Sequence, residues 1–138
     1  MSTEIDRLRG VPLFGGLDQE ALERIAALAS EVTFQDGEAV VREGDAGHEL
    51  YVLTDGRLSV TRDGKEIREL KPGDFLGEIS LIDGQPRTAT ATAVGPVKAL
   101  VIHHHDFFKL MDSYITIRLG IVMALARRIR RDQGDDLV

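Results

Sequence analysis

Leu50-Tyr51-Val52-Leu53-Thr54-Asp55-Gly56-Arg57-Leu58-Ser59-Val60-Thr61-Arg62-Asp63-Gly64 is a run of apolar and β-branched residues broken by two Asp-Gly pairs. Residues 50–53 form the continuous apolar stretch of a central strand, and Leu58 and Val60 alternate with Arg57, Ser59 and Thr61 as in a strand with one inward face. The pattern extends from Glu31 to about His103, punctuated by Asp36-Gly37, Glu43-Gly44-Asp45, Pro72-Gly73 and Asp83-Gly84. Glycine at such pairs supplies the positive φ that tight turns require. Strands of about five or six residues fit between these turns. The expected fold is mainly β with flanking helices, an antiparallel β-roll or jelly roll over residues 31–105. No repeat unit or low-complexity linker interrupts it.

On the N-terminal side, residues 1–30 read as a helical preface. Asp18 can cap a helix by accepting from its first amides, and Leu17 and Leu22 have the spacing of a hydrophobic staple. Leu22, Ile25, Ala26 and Ala29 share one face, so this helix covers something else. On the C-terminal side the helical period returns over residues 106–131. Asp106 can cap a first turn, and Phe107, Leu110 and Met111 share a face. Ile115, Leu119, Val122, Ala126 and Ile129 then recur at alternating steps of four and three, with Ile117, Ile121 and Leu125 as a second row. Such a helix can pack on the roll and also meet another copy of itself, which makes a homodimer through the C-terminal helix an expectation. Residues 132–138 form an acidic tail, and residues 1–138 read as a single domain.

Composition narrows the function classes. The chain has 138 residues and a formal net charge of −6. A chain of this size buries roughly two thirds of its unfolded surface, and a mean hydropathy of −0.09 fits a packed core. With no cysteine, a disulfide, a thiolate metal site or a thiol nucleophile is ruled out. No tryptophan and 5% aromatics disfavour a stacking surface for single-stranded nucleic acid, and the acidic balance disfavours general DNA binding. No apolar run approaches the roughly 20 residues of a membrane-spanning helix, and no signal peptide opens the chain, so the expected location is the cytoplasm, off the membrane. Arg118, Arg127, Arg128, Arg130 and Arg131 nevertheless fall in one segment without an acid.

Residues 75–92, from Phe75-Leu76-Gly77-Glu78-Ile79-Ser80 to Arg87-Thr88-Ala89-Thr90-Ala91-Thr92, carry the chemistry. Gly77 lets backbone approach a ligand closely. A short helix starting near Glu78 offers first-turn amides to phosphate oxygens, and Arg87 adds a guanidinium fork that matches two of them. A carboxylate beside a phosphate is unfavourable unless it accepts from a neutral donor. Glu78 therefore points to a ribose hydroxyl, and the combination to a nucleotide with a single phosphate charge. The plainer reading, an exposed Glu78–Arg87 ion pair worth under ~1 kcal/mol, leaves the surrounding glycines unexplained. The alternation of Thr88, Thr90 and Thr92 with Ala89, Ala91 and Ala93 is that of a half-buried strand with a small-residue inner face.

This stretch resembles the phosphate-binding cassette of the cyclic nucleotide-binding domain family, found in cAMP- and cGMP-dependent kinases, catabolite-activator-type transcription factors and cyclic-nucleotide-gated channels. The resemblance rests on Leu76-Gly77-Glu78-Ile79-Ser80-Leu81 followed by Arg87-Thr88-Ala89. Upstream, the pattern from Val40 and Val41 through Gly44, Asp45 and Gly47 to residues 50–53 and Gly56 carries it further, and the likeness spans about residues 13–131. It implies that Glu78 accepts from the ribose 2′-hydroxyl and that Arg87 pairs with the cyclic phosphate. Gly77, Ser80 and Thr88, with the amides around them at the cassette positions Ile79 and Ala89, complete the anion site. Val60 packs on the base, and Arg127 or Arg128 of the closing C-terminal helix stacks over it. Thr88 is compatible with both bases, and cAMP is expected in preference to cGMP. The implied protein is a non-catalytic regulatory module with no cofactor beyond the cyclic nucleotide, signalling by lid closure to a protein output partner.

Two other readings compete. In the first, His103, His104, His105 and His48 serve a cupin-like metal-dependent enzyme, although the carboxylate and third histidine at cupin spacing are missing. In the second, the chain is the sensor fragment of a transcription factor or channel whose output domain is missing, since no helix-turn-helix follows the long helix up to Val138. The first is disfavoured because a strand-to-helix boundary exposed to solvent explains the histidine triplet.

Overall fold

The computed structural model describes residues 3–133. A helical preface comes first: α1 (Thr3–Arg9), a single 3-10 turn (Pro12–Phe14) and α2 (Gln19–Leu28). Asp18 caps α2 as its sequence position requires, its Oδ1 accepting from the Ala21 amide at 2.9 Å. Leu22 and Ile25 are buried while Ala26 and Ala29 pack at the margin.

Six strands follow, β1 (Ser30–Phe34), β2 (Ala39–Val41), β3 (Glu49–Arg62), β4 (Lys65–Leu70), β5 (Phe75–Leu76) and β6 (Thr90–His103), with α3 (Glu78–Asp83) between the last two. They pair antiparallel in the order β1-β6-β3-β4, with β2 added to β6 and β5 to β3. This is the expected β-roll with helices at both ends. The strand lengths differ from expectation, because β3 and β6 each run 14 residues. Asp55-Gly56 does not turn the chain; it forms an irregularity inside β3, where the register against β6 shifts on either side of Asp55. Gly56 has φ +89°, and a Cβ there would sit 2.3 Å from the Pro96 carbonyl oxygen, so the two long strands can cross closely only at a glycine.

That irregularity also switches which side of β3 is buried where. Leu50 and Val52 face a core shared with Leu22, Ile25, Phe107 and Ile117 of the helices. Leu53, Leu58 and Val60 face a second core inside the roll with Leu70, Ala91, Ala93 and Val97. The small inner face of β6 is thus real, with Ala91 and Ala93 fully buried.

After β6 come α4 (His104–Ser113) and α5 (Ile115–Gln133). Helix α4 begins three residues earlier than the capping expectation: His103 occupies the N-cap without a side-chain bond, and Asp106 lies inside the first turn. There its charge still suits the positive end of the helix. Phe107 and Leu110 are buried as expected. On α5 the second apolar row, Ile117 and Ile121, packs on the core, whereas Ile115, Leu119, Val122 and Ile129 are all more than half exposed. No helix among the described residues is long and apolar enough to cross a membrane. Residues 134–138, most of the expected acidic tail, lie outside the described residues.

Candidate functional site

The site is organised around one buried arginine. Gly77, the N-cap of α3, has φ +100°, and a Cβ there would come within 2.6 Å of both Arg87 Nη1 and the Glu49 carbonyl oxygen. Gly47 lies on the other side: its backbone is outside the left-handed region, but a Cβ would meet Arg87 Cζ at 2.5 Å. The guanidinium therefore passes between two glycines that make room for it. Nη1 donates to the Gly77 carbonyl at 3.1 Å and Nη2 to the Glu49 carbonyl at 3.0 Å. The backbone is pinned too, with Arg87 N donating to Asp45 O at 2.8 Å and Gly44 N to Arg87 O at 2.9 Å. Two of the five guanidinium N–H donors are spent on carbonyls, so others remain for an anion.

Arg87 is only 7% exposed. Burial lowers its pKa from the ordinary value, opposed by the neighbouring Tyr51, Glu49 and Glu78. Tyr51 donates its hydroxyl to Glu49 Oε2 at 3.0 Å. Burial, followed by that bond to a carboxylate, pushes the phenol up to about 12.

Glu78, at the first position of α3, is completely buried. Arg128 of α5 donates through Nη1 to its Oε1 in an ion pair. Its second oxygen, Oε2, is buried with no hydrogen-bond partner. An orphaned buried acceptor costs roughly 1–3 kcal/mol, and this oxygen has the capacity to accept one more donor. The plainer reading, a Glu78–Arg87 ion pair, is not what forms; each group is held by other partners. Helix α3 has only six residues.

Nine of the ten residues singled out in the sequence meet around one cavity: Gly77, Glu78, Ile79, Ser80, Arg87, Thr88, Ala89, Val60 and Arg128. Ser80 and Val60 are buried, Ile79 and Ala89 half-buried, and Thr88 is exposed. The tenth, Arg127, does not reach it and lines a neighbouring groove, because consecutive helical residues diverge by about a hundred degrees. Arg128 is the only residue of α5 among those lining the cavity. The cavity encloses ≈ 60 Å³, against roughly 300–1,000 Å³ for a small-molecule site.

Arg68 and Leu70 of β4 also line the cavity and were not anticipated. Arg68 pairs with Val60 across the sheet and lies two residues from the buried Leu70. That period marks an arginine on the inward face of a strand, a signal the sequence did contain. The Glu49 carbonyl that seats Arg87 has no such signal.

The histidines do not share one strand face. His103 ends β6 while His104 and His105 open α4, and their rings lie 4.0–5.4 Å apart with His48 close to His104. Among the described residues no group of three or more His, Cys, Asp or Glu is arranged to hold a metal ion. His104 is pushed below the ordinary histidine range, first by desolvation and then by its histidine neighbours.

Comparison with known proteins adds an independent line. The family model described as cyclic nucleotide-binding domain matches residues 31–114. The cAMP-dependent protein kinase regulatory subunit of Dictyostelium discoideum is 32% identical over 111 residues, which is 75% of this chain and 34% of that protein. The regulatory domain of Toxoplasma gondii PKA, solved with cAMP, superposes with a TM-score of 0.79 at 26% identity, covering 89% of this chain and 49% of that one. The N-terminal domain of a transcriptional regulator from Streptomyces coelicolor is 37% identical with a TM-score of 0.71, and 96% of each chain is covered. The chain thus spans about a third of the kinase subunit's length and nearly all of the Streptomyces domain.

Proposed function

Because the chain belongs to the cyclic nucleotide-binding domain family, we propose that it is a cyclic nucleotide receptor module that prefers cAMP to cGMP and acts without catalysis. The observation that carries this reading is the pairing of a glycine-seated, buried Arg87 with a buried Glu78 whose Oε2 lacks a donor. Arg87 takes the single charge of the cyclic phosphate. Glu78 Oε2 accepts from the ribose 2′-hydroxyl, with Arg128 holding the other oxygen in place. Ser80, Thr88 and the amides around Ile79 and Ala89 complete the anion site, and Val60 supports the base. Arg128, rather than Arg127, is the lid contact. Residues 1–138 act as one domain, with the cytoplasm as its location.

Signalling follows from the lid. The cavity, at ≈ 60 Å³, is small for a nucleotide, so α5 moves aside for the ligand and returns over it. Contacts made by α5 only when it closes on the nucleotide shift the population toward that state by their own free energy. Output passes to a protein partner. The exposed row Ile115, Leu119, Val122, Ala126 and Ile129 supports a homodimer through α5, which light scattering with and without ligand resolves.

A fluorescent cAMP analogue, displaced in turn by cAMP, cGMP and linear AMP, tests the assignment. Displacement in the order cAMP, cGMP, AMP is expected; displacement by AMP as strong as by cAMP would overturn the cyclic-phosphate reading.

A second reading has one specific support. The near-complete match to the N-terminal domain of a transcriptional regulator favours a sensor that works in front of a DNA-binding output. It uses the same site, and differs only in the partner.

A further inference from the structure

Helix α5 has a third face. Gly120, Met123, Ala124, Arg127, Arg128 and Arg131 recur at i, i+3, i+4, i+7, i+8 and i+11, separate from the core row and from the exposed apolar row. With the 3-10 turn and residues 68–75, this face encloses an open groove of ≈ 680 Å³. Its floor is apolar, with Leu13, Phe75 and Met123, and its walls are basic, with Arg68, Lys71, Arg127, Arg128 and Arg131. Among the described lining residues the acids are Glu69 and Asp74, and both are engaged: Glu69 Oε1 pairs with Arg57, and Asp74 Oδ2 accepts the Lys71 amide at 2.9 Å. Among residues 5–131 no ion pair engages Lys71, Arg127 or Arg131. A concentration of cations in a chain of net charge −6 is a local feature that the overall balance does not explain.

We propose that this groove docks an acidic segment of a partner protein, with carboxylates interleaved among apolar side chains. Charge complementarity selects the acid, and the apolar floor selects a peptide over a nucleic acid. A polyanion also needs a positive track beyond the groove, and the net charge of −6 repels it. Arg128 lines both the groove and the nucleotide cavity. On the reading under Proposed function, a partner carboxylate competes with Glu78 for that guanidinium. Peptide and nucleotide therefore weaken each other by the same factor.

The test is fluorescence anisotropy of a labelled synthetic peptide alternating glutamate and leucine, against the full chain, with a lysine–leucine peptide as control. Saturable binding of the acidic peptide alone is expected, weakened at least tenfold in Lys71→Glu/Arg131→Glu at an unchanged melting temperature. No binding, or binding indifferent to that reversal, overturns the groove. Equal displacement by a single-stranded oligonucleotide or by inorganic triphosphate overturns the assignment to a peptide. Added cAMP is expected to loosen the peptide several-fold. An unchanged peptide affinity in a chain that calorimetry shows to bind cAMP overturns the coupling through Arg128. Should the chain bind the peptide but no cAMP, the nucleotide reading fails and the groove stands.

Discussion

Replacing Gly47 with alanine places a Cβ 2.5 Å from Arg87 Cζ and 2.6 Å from Nε. The backbone at residue 47 lies outside the left-handed region, so alanine brings no conformational strain there and even narrows the unfolded ensemble by about 0.4–1 kcal/mol. The whole effect falls on the guanidinium, which must leave its seat. It then gives up its bonds to the Gly77 and Glu49 carbonyls. Hydrogen bonds to charged groups contribute about 1.5–3 kcal/mol each, and partial recovery through solvent leaves an expected loss of stability of about 1–3 kcal/mol. For the ligand, a displaced Arg87 resembles the truncation of one partner of a charged pair, about 2–5 kcal/mol. At 1.4 kcal/mol per decade that is roughly 30-fold to several-thousand-fold in Kd. Titration calorimetry with cAMP reads the second number and urea unfolding the first. Gly47→Ala combined with Arg87→Ala should bind no worse than Arg87→Ala alone, because both act through one group. Wild-type affinity in Gly47→Ala, or full additivity in the double variant, would refute the claim that the seated guanidinium is the phosphate ligand.

Glu78→Ala should weaken cAMP about tenfold to a hundredfold while leaving 2′-deoxy-cAMP nearly unchanged, which competitive displacement measures; an equal loss for both would assign Glu78 a different role. Gly56→Ala should cost about 2–4 kcal/mol in urea unfolding, since its φ of +89° and the 2.3 Å approach to Pro96 O leave no room for a Cβ. For Tyr51 the folded phenol, at about 12, lies above its ordinary value of 10.0. The native state therefore holds this proton more tightly, and the contribution present below pH 10 is lost as pH rises toward 12. The difference in unfolding free energy between wild type and Tyr51→Phe should shrink across that window, and a pH-independent difference would contradict the shift.

The sequence made the roll legible where periodicity is local. Leu58 and Val60, the threonine–alanine alternation before Ala93, and the Asp18 cap all stand where their spacing puts them. The Asp55-Gly56 pair misled because the same glycine conformation serves a turn and an irregularity within a strand, and only the partner strand at Pro96 distinguishes them. At the site, Gly77, Glu78 and Arg87 were visible because they lie within eleven residues of each other. Their actual partners were not, since a backbone carbonyl at Glu49 and a guanidinium at Arg128 come from distant segments. Choosing between Arg127 and Arg128 required the rotation of α5 about its axis, which the packing of Ile117 and Ile121 sets. The groove basic enough to carry a partner was half visible, as a run of arginines without an acid. Its other wall, Arg68 and Lys71, became adjacent only on folding.

Titration calorimetry of the purified, nucleotide-free chain with cAMP and then cGMP, in EDTA, tests the central claim most directly. The account predicts saturable one-site binding, tighter for cAMP and lost in Arg87→Ala; a folded chain that takes up neither nucleotide would contradict it.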